Sequence, residues 1–286
     1  MSNYFATDDA YREWFQQITN LDQRDRDAML AEIAQDESLG ATQEDRVAAL
    51  TRARQISYGL AGVSIVAAIA VNAPGFGQPI YWAAALVLIA LVVVALAWMR
   101  PQLYGVFKSK SDPRAELGTA WMIAAFGFLI SSSGSHLVSY SEIFPAIATV
   151  FVLVLLAFLP PMFKRANRQQ GIIGSIIFGL LFSYGFSLTA NQLGDKSAPS
   201  NYVATVQGKH ISSGRSKTNY LELAPWGPFP DGNSMSVSSQ TYAEYELGDQ
   251  ICLGVYAGAL HASWYGTVTC PGLQQQIQDL IPKDTK

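Results

Sequence analysis

The stretch IYWAAALVLIALVVVALAWM, residues 80–99, is the most informative part of the chain because it contains no charged residue. The hydrocarbon core of a bilayer is about 30 Å thick, and a helix of about 20 apolar residues crosses it. The run IFPAIATVFVLVLLAFLPPMF at residues 143–163 is one residue longer and has the same apolar character. Asp, Glu, Lys, Arg and His are all missing between residues 55 and 99. We therefore predict a polytopic membrane protein.

Three weaker apolar segments complete a predicted five-helix transmembrane domain over residues 55–190. The five predicted spans are residues 56–73, 80–99, 117–138, 143–163 and 171–190. The third span has the weakest signal, because only about 14 residues before Ser131 are strongly apolar, a length that also suits a re-entrant segment.

Basic residues flank the predicted spans on one side only. The nine that adjoin them are Arg52, Arg54, Arg100, Lys108, Lys110, Arg114, Lys164, Arg165 and Arg168, and the loops 74–79 and 139–142 contain none. Cytosolic loops carry the excess of Lys and Arg. Since residues 100–114 and 164–168 then share one side, two crossings must separate them, and the third and fourth segments both cross. The N-terminus is predicted to be cytosolic, and the chain after Ala190 to lie outside.

Residues 1–54 are predicted to form a cytosolic helical segment. They lack the basic stretch and apolar core of a cleavable secretory signal, so the first span is expected to be an uncleaved signal anchor. Apolar residues at helical spacing, either packed on the bundle or docking a partner, are Tyr11, Trp14, Phe15 and Ile18. Thr42 followed by Asp45 predicts a capping box that begins a helix continuous with span one.

Span five carries a regular row of small residues. Gly or Ser recurs at every fourth position, at Gly171, Ser175, Gly179, Ser183 and Ser187. Membrane helices associate where small residues let their backbones approach closely. The row predicts a tight helix–helix contact, made either with another span of the same chain or with a protein partner such as a second copy.

After Ala190 the composition becomes polar and rich in turn residues. Short alternating runs predict five strands, near residues 202–212, 218–224, 234–240, 250–257 and 261–269. Five short strands suit a small barrel of the OB or SH3-like kind, or a small sandwich. Residues 191–286 are therefore predicted to form an extracytoplasmic all-β domain.

Cys252 and Cys270, the only cysteines of the chain, both fall in this domain. A tight turn at Gly258 that pairs Ala257 with Leu260 would place Cys252 opposite Tyr265, with Cys270 a short turn beyond. A disulfide is then within reach, and an oxidising compartment makes it expected. Free buried thiols and metal ligation are the alternatives.

Four residues are candidates for an external surface or ligand platform: His136, Trp226, Trp264 and Tyr265. His136 ends the third predicted span, where a solvated or hydrogen-bonded histidine is the simpler interpretation. For the three aromatic residues, a place in the core of so small a domain is the favoured interpretation. His210 and His261 show no recurring zinc-ligand spacing, so no metal is predicted.

The sequence bears on function mainly by disfavouring particular classes of partner and reaction. The net charge of −3 and the absence of a basic cluster disfavour a nucleic-acid partner. Neither a Gly-x-Ser-x-Gly elbow, nor a His-Glu-x-x-His motif, nor a phosphate loop occurs, so no catalytic residue or cofactor is predicted. Paired glycosidase carboxylates stay open among Glu222, Asp231, Glu244, Glu246 and Asp249.

Two hypotheses remain ahead of an enzyme. The favoured one is a protein of the bacterial cytoplasmic membrane that presents an extracytoplasmic binding or assembly domain. The alternative is a channel or transport-complex subunit with an uncharged pathway, although the predicted spans lack the charged residues of ion-coupled transporters.

Overall fold

A computed structural model describes residues 35–73, 75–107, 112, 114–163, 168–213 and 217–270, together with positions 24, 27, 28, 30 and 31. The chain divides into two compact units. The first comprises residues 1–129 and 150–183, and the second residues 130–149 and 184–286. The predicted aromatic helix at residues 11–18 lies outside the described residues.

Apolar helices dominate the first unit. Helix α1 spans Gln43–Asn72, α2 Pro79–Met99, α3 Gly118–Ser131, α4 Tyr140–Phe163 and α5 Arg168–Leu193, the last two running through both units. Among the described residues, four helical segments are long and apolar enough to cross a membrane: residues 43–72, 79–99, 140–158 and 172–193. Five such spans were predicted, and α3 is the one that falls short of this length.

Helix α1 begins where the sequence predicts. The Asp45 N–H donates to Thr42 Oγ1 at 3.2 Å, and the Thr42 N–H donates to the Asp45 carboxylate at 3.1 Å. These two bonds form the expected capping box and satisfy groups that a helix start leaves without an intrahelical partner. The helix then continues for 30 residues. The predicted continuity between the Gln43 helix and the first apolar run is confirmed.

Helix α3 differs most from the prediction. The predicted span 117–138 is α-helical only over Gly118–Ser131, and a 3₁₀ turn follows at Ser132–Gly134. Fourteen residues rise about 21 Å, and the turn adds about 6 Å. His136 and Leu137 then leave the helix and form a strand. The serine cluster explains the early end, because serine hydroxyls compete for backbone hydrogen bonds and favour turns.

Small residues let the helices of the first unit approach closely. A Cβ added at Gly127 of α3 would lie 2.9 Å from the Ala68 Cβ of α1 and 3.1 Å from Leu86 of α2. Trp121 of α3 stacks on Phe182 of α5, with ring centroids 4.5 Å apart. The interior of this unit is therefore packed by glycine contacts and aromatic rings.

The segment between α2 and α3 contains a buried ion pair. Two short strands, β1 (Tyr104–Gly105) and β2 (Ala115–Glu116), pair in parallel. The Arg114 guanidinium, on a residue only 7 % exposed, donates to both carboxylate oxygens of Asp112. The charge of Arg114 is thus neutralised locally by Asp112.

Within the described part of the second unit, six strands form an antiparallel sheet. They are β3 (His136–Leu137), β4 (Ser200–Ile211), β5 (Asn219–Leu223), β6 (Asn233–Val237), β7 (Gln250–Tyr256) and β8 (Trp264–Thr267), in the order β3-β8-β7-β4-β5-β6. The long strand β4 pairs with β7 over residues 200–205 and with β5 over residues 206–211. A register shift between Val206 and Gly208 bends it, and the sheet curls into a nearly closed, barrel-like shape.

Each of the five predicted strands has a counterpart in this sheet, and β3 is an addition from the segment between α3 and α4. The end of the predicted strand 234–240 is instead a short helix, α6 (Ser239–Glu244), capped by Ser238. Inward side chains fill the barrel, chiefly Val206, Leu221, Met235, Ile251 and Leu253, all at most 1 % exposed.

Candidate functional site

An ordered row of polar and aromatic side chains lies on the outer face of β4 and β5. Leu221 and Leu223 are buried, so Tyr220 and Glu222 alternate to the opposite face. His210 pairs with Tyr220 across the strands, and their rings stack with centroids 4.9 Å apart. We call His210, Tyr220 and Glu222 the outer row.

Glu222 completes the outer row through a hydrogen bond to His210. The His210 Nδ1 and Glu222 Oε1 atoms are 3.0 Å apart, and the two side chains are 47 % and 54 % exposed. A Cβ added at Gly208 would overlap the Glu222 carboxylate, so the glycine leaves space for this arrangement. The row is thus a preorganised set of groups that faces solvent.

Lys209, beside the outer row, is held by α6 and the segment after it. Its ammonium donates to the Tyr245 carbonyl at 2.6 Å and lies 4.6 Å from the centre of the Tyr242 ring. The Glu246 carboxylate is 3.5 Å away, and the lysine side chain is only 16 % exposed. These contacts satisfy the charge locally, so Lys209 supports the fold beside the row.

Two of the predicted platform residues, Trp226 and Tyr265, belong to the core. Both are 5 % exposed. Asn233 joins them, because its carbonyl accepts from the Trp226 indole at 2.8 Å and its amide donates to the Tyr265 hydroxyl at 2.6 Å. Burial raises the pKa of Tyr265 to about 12, although the hydrogen bond from Asn233 acts to lower it. The core interpretation that the sequence left open describes these two rings.

His136 of β3 contacts two other strands of the sheet, β8 and β6. It pairs with Tyr265 of β8 and stacks on that ring, with centroids 5.3 Å apart. Its side chain also forms a hydrogen bond with the backbone of Ser236 in β6. Burial lowers the pKa of His136, and this hydrogen bond opposes the shift. Strand β3 is therefore one edge of the sheet, and its histidine side chain reaches the backbone of β6, the strand at the other edge.

Trp264, the remaining platform candidate, lies in a polar cluster at the end of α5. Its indole N–H donates to an Asp195 carboxylate oxygen at 2.8 Å, and the Gly258 N–H donates to the same oxygen at 2.8 Å. Burial tends to raise the pKa of Asp195, but hydrogen bonds from Ser197, Trp264 and Gly258 outweigh it and lower the pKa to about 2. Sequence reasoning missed Asp195 because it lies in a polar linker without a motif.

The loop between β7 and β8, residues 257–263, is held by side chains from helix ends. Asn191, fully buried at the end of α5, donates to the Ala262 carbonyl at 2.7 Å and accepts from the Leu260 N–H at 2.9 Å. Glu142, in the first turn of α4, accepts from the Ser263 N–H at 2.7 Å. We call Glu142, Asn191 and Asp195 the loop clamp.

This loop corrects one sequence prediction. The expected tight turn that pairs Ala257 with Leu260 is wrong, because Val255 pairs with Tyr265 and the connection is a longer loop. Gly258, at φ +79°, approaches Asn191 so closely that a Cβ would overlap its amide. The loop clamp holds this longer loop, and its residues are too far away in sequence for a rule based on local turn residues to predict it.

The predicted disulfide between Cys252 and Cys270 is present. The two Cα atoms are 5.3 Å apart, and 18 positions separate the residues. Although the register differs from the expected one, the Val268 N–H donates to the Cys252 carbonyl at 3.0 Å and brings the two segments together.

The small-residue row of α5 faces protein. Ser175, Ser183 and Ser187 are at most 1 % exposed. A Cβ added at Gly179 would lie 3.1 Å from Val154 of α4 and 3.6 Å from Phe151. The surroundings of Gly171 lie outside the described side chains. At its centre the row therefore meets another helix of the same chain.

Four of the five carboxylates that the sequence left open for a glycosidase pair have partners nearby, among them Glu222 with His210 and Glu246 with Lys209. Asp249 accepts from the Glu246 N–H at 2.7 Å, and Glu244 accepts from Gln240 at 2.8 Å. Across the part of the chain that the structure describes, no three His, Cys, Asp or Glu side chains are grouped to hold a metal ion.

Comparison with known proteins adds no identity to this geometry. The chain matches no protein-family model, no curated protein and no solved structure. The contacts above are therefore the basis on which a function can be argued.

Proposed function

We propose that the chain is an integral protein of the bacterial cytoplasmic membrane that holds its C-terminal sheet outside as a fixed platform for binding or assembly. The N-terminus is cytosolic in this proposal, and α3 with its 3₁₀ turn is a short fifth crossing. The pairing of β3 with β8 carries the proposal, because it joins the α3–α4 segment to the C-terminal sheet.

Strand pairing adds a second constraint to the membrane arrangement, which is used together with the placement of the basic residues. Hydrogen-bonded strands must share one side of a bilayer, so an even number of crossings must separate His136 from Tyr265. Helices α4 and α5 supply two. The basic residues before α3, Arg100 among them, favour the opposite side, and α3 must then cross. The disulfide agrees with an oxidising compartment outside the cytosol.

Several contacts support a fixed platform over a tethered module. Strand β3 pairs with β8 and extends the sheet, and the loop clamp binds the β7–β8 loop to the ends of α4 and α5. Flexible attachment needs few contacts across a linker, whereas here hydrogen bonds and the buried cluster of Leu137, Ile143, Leu188 and Ala262 join helix ends to the sheet.

The outer row is the proposed binding surface of this platform. The three side chains of the outer row lie on the exposed face of the sheet, so they are not needed to fill its core. Such a set offers hydrogen-bond donors and acceptors beside a tyrosine ring, a residue type that is enriched at protein interfaces.

Site-specific photocrosslinking in intact cells tests the platform. A photoreactive residue at Tyr220 should give a discrete crosslinked product, whereas the same residue at the exposed Gln240 of α6 should not. Asn191→Ala, which breaks the clamp without touching the outer row, should weaken the Tyr220 product. Equal products from both positions would contradict the proposed surface. Solute flux through liposomes by a chain ending at Leu193 would support the alternative, a channel or transport subunit.

A further inference from the structure

A small cavity lies in the first unit, between the middle of α1 and the beginning of α3. Its volume is about 130 Å³, and it is lined by Arg54, Ser57, Tyr58, Ala61, Ala115, Glu116 and Thr119. A cavity of about 150 Å³ accepts a molecule as large as benzene. This cavity therefore has room for a small polar headgroup but not for a whole lipid.

The lining carries both signs of charge around neutral hydroxyl groups. The lining residues include one basic residue, Arg54 of α1, and one acidic residue, Glu116 of β2. The Ser57 hydroxyl donates to the Glu116 carbonyl oxygen and ties β2 to α1. A ligand that matches such a lining has an anionic and a cationic group close together, since a purely anionic or cationic ligand would meet one charge of its own sign.

The cavity lies at headgroup depth if the chain is placed in the membrane as proposed above. Arg54 is the last charged residue before the uncharged run 55–99. Ala61 is seven residues further along α1, about 10 Å of helix rise. Tyr58, between them, is 75 % exposed, and exposed tyrosines concentrate at the membrane–water interface.

An exposed apolar track leads from the cavity along α1. Gly62, Ile65 and Ile69 follow Tyr58 at helical spacing, with Ile65 48 % and Ile69 56 % exposed. A Cβ added at Gly62 would meet no atom within 4 Å. A lipid whose headgroup occupied the cavity would have open apolar surface for an acyl chain.

We propose that this cavity binds the headgroup of a zwitterionic phospholipid, phosphatidylethanolamine, with its phosphate at Arg54 and its ammonium at Glu116. The inference rests on the proposed membrane placement. Guanidinium groups bind phosphate through charge-assisted hydrogen bonds. The ethanolamine ammonium carries three donors for Glu116, whereas a choline group has none and a phosphoglycerol group has no cation.

Native mass spectrometry of the full chain, released from nanodiscs of mixed phospholipids, tests the site. Wild type should retain phosphatidylethanolamine over phosphatidylcholine and phosphatidylglycerol by about tenfold, the ratio expected from one charged hydrogen bond. Arg54→Gln should abolish the preference. Glu116→Gln should move it toward phosphatidylglycerol, a reversal that general loss of structure would not produce. Arg52→Gln, the same change on an exposed neighbour in α1, should behave as wild type.

Three outcomes would contradict the assignment. The first is equal retention of the three lipids by the wild type. The second is an equal loss of lipid preference in Arg52→Gln and Arg54→Gln. Free phosphoethanolamine that binds as tightly as the lipid would contradict a lipid site. None of these outcomes would contradict the proposed function of the C-terminal sheet. A protein that has the proposed topology but no headgroup preference would contradict only the lipid site.

Discussion

Asp195 is the residue with the most consequential set of contacts outside the apolar helices. Its carboxylate accepts from the Trp264 indole and from the backbone of Ser197 and Gly258. Three donors to one carboxylate favour its charged form, which is why its pKa is about 2. Residues far apart in sequence meet here, so no local pattern could have predicted the site.

The first prediction follows from that pKa. The unfolded value is 3.8 and the folded value about 2, so the stabilisation is present above about pH 4 and is lost as the pH falls through about 2. Asp195→Asn keeps an acceptor but cannot titrate. Between about pH 5 and pH 2 the melting temperature of the wild type should fall more than that of the variant. Glu222→Gln controls for loss of an exposed carboxylate, and parallel Asp195→Asn and wild-type curves would contradict the role.

The disulfide gives the second prediction. A closed loop of 18 residues restricts the unfolded chain by about 3 kcal/mol in the entropic account. Cys252→Ser should lower the free energy of unfolding of the C-terminal sheet by about that amount and make it sensitive to protease in native membranes. Reduced wild type should behave like the variant. Quantitative thiol labelling of unreduced wild type would contradict the bond.

At the scale of single elements, the row on α5 shows what the sequence could and could not reveal. Spacing alone predicted a close helix–helix contact, because small residues at every fourth position line one face. It did not identify the neighbour. The structure places Val154 and Phe151 of α4 against Gly179, which favours an internal contact over a second copy.

The third prediction concerns this contact. Gly179→Leu should insert a side chain against Val154 and lower the stability by about 1–3 kcal/mol, the usual cost of overpacking. The oligomeric state should stay unchanged because the neighbour is internal. Gly59→Leu is the matched control, since a Cβ at Gly59 would meet nothing within 4 Å. Thermal unfolding and size-exclusion chromatography measure both. A shift from dimer to monomer, or equal damage by the two variants, would contradict the internal contact.

The fourth prediction concerns β3. Leu137 is 7 % exposed and packs with Ile143, Leu188 and Ala262. Leu137→Ala should destabilise the C-terminal sheet by about 2–5 kcal/mol, the range for buried leucines, although this residue lies far before the sheet's next strand in sequence. Ile211→Ala, at a residue 49 % exposed on β4, is the control. Protease resistance of the sheet in membranes reports the effect, and unchanged resistance would mean that β3 is dispensable.

Long periodic elements were predictable, and short ones that depend on distant contacts were not. Helix α2 begins within one residue of the predicted span, because twenty apolar residues leave little alternative. Strand β3 has two residues, too few for a periodic signal, and exists because β8, distant in sequence, pairs with it. The outer row could not be predicted from sequence either, since it depends on the register in which β4 pairs with β5 and brings Glu222 to His210.

At the scale of the whole molecule, the C-terminal sheet is not separable at residue 191. The compact unit that contains it begins again at residue 130 and includes residues 130–149. A fragment of residues 191–286 would lack β3 and the Glu142 contact. Binding studies should therefore use the full chain. Loss of binding by the fragment would not contradict the proposed binding surface, because the fragment lacks part of the sheet.

The central claim is that the α3–α4 segment and the C-terminal sheet share the outer side of a membrane, opposite the segment between α2 and α3. Single cysteines at the exposed positions Ser141, Lys196 and Gln102 test it directly. The native cysteines are joined in a disulfide, so no native thiol competes for a maleimide.

A membrane-impermeant maleimide applied to intact spheroplasts should label Ser141→Cys and Lys196→Cys, and should label Gln102→Cys only after permeabilisation. Labelling of Gln102→Cys in intact spheroplasts, or protection of Ser141→Cys where Lys196→Cys reacts, would contradict the proposed arrangement.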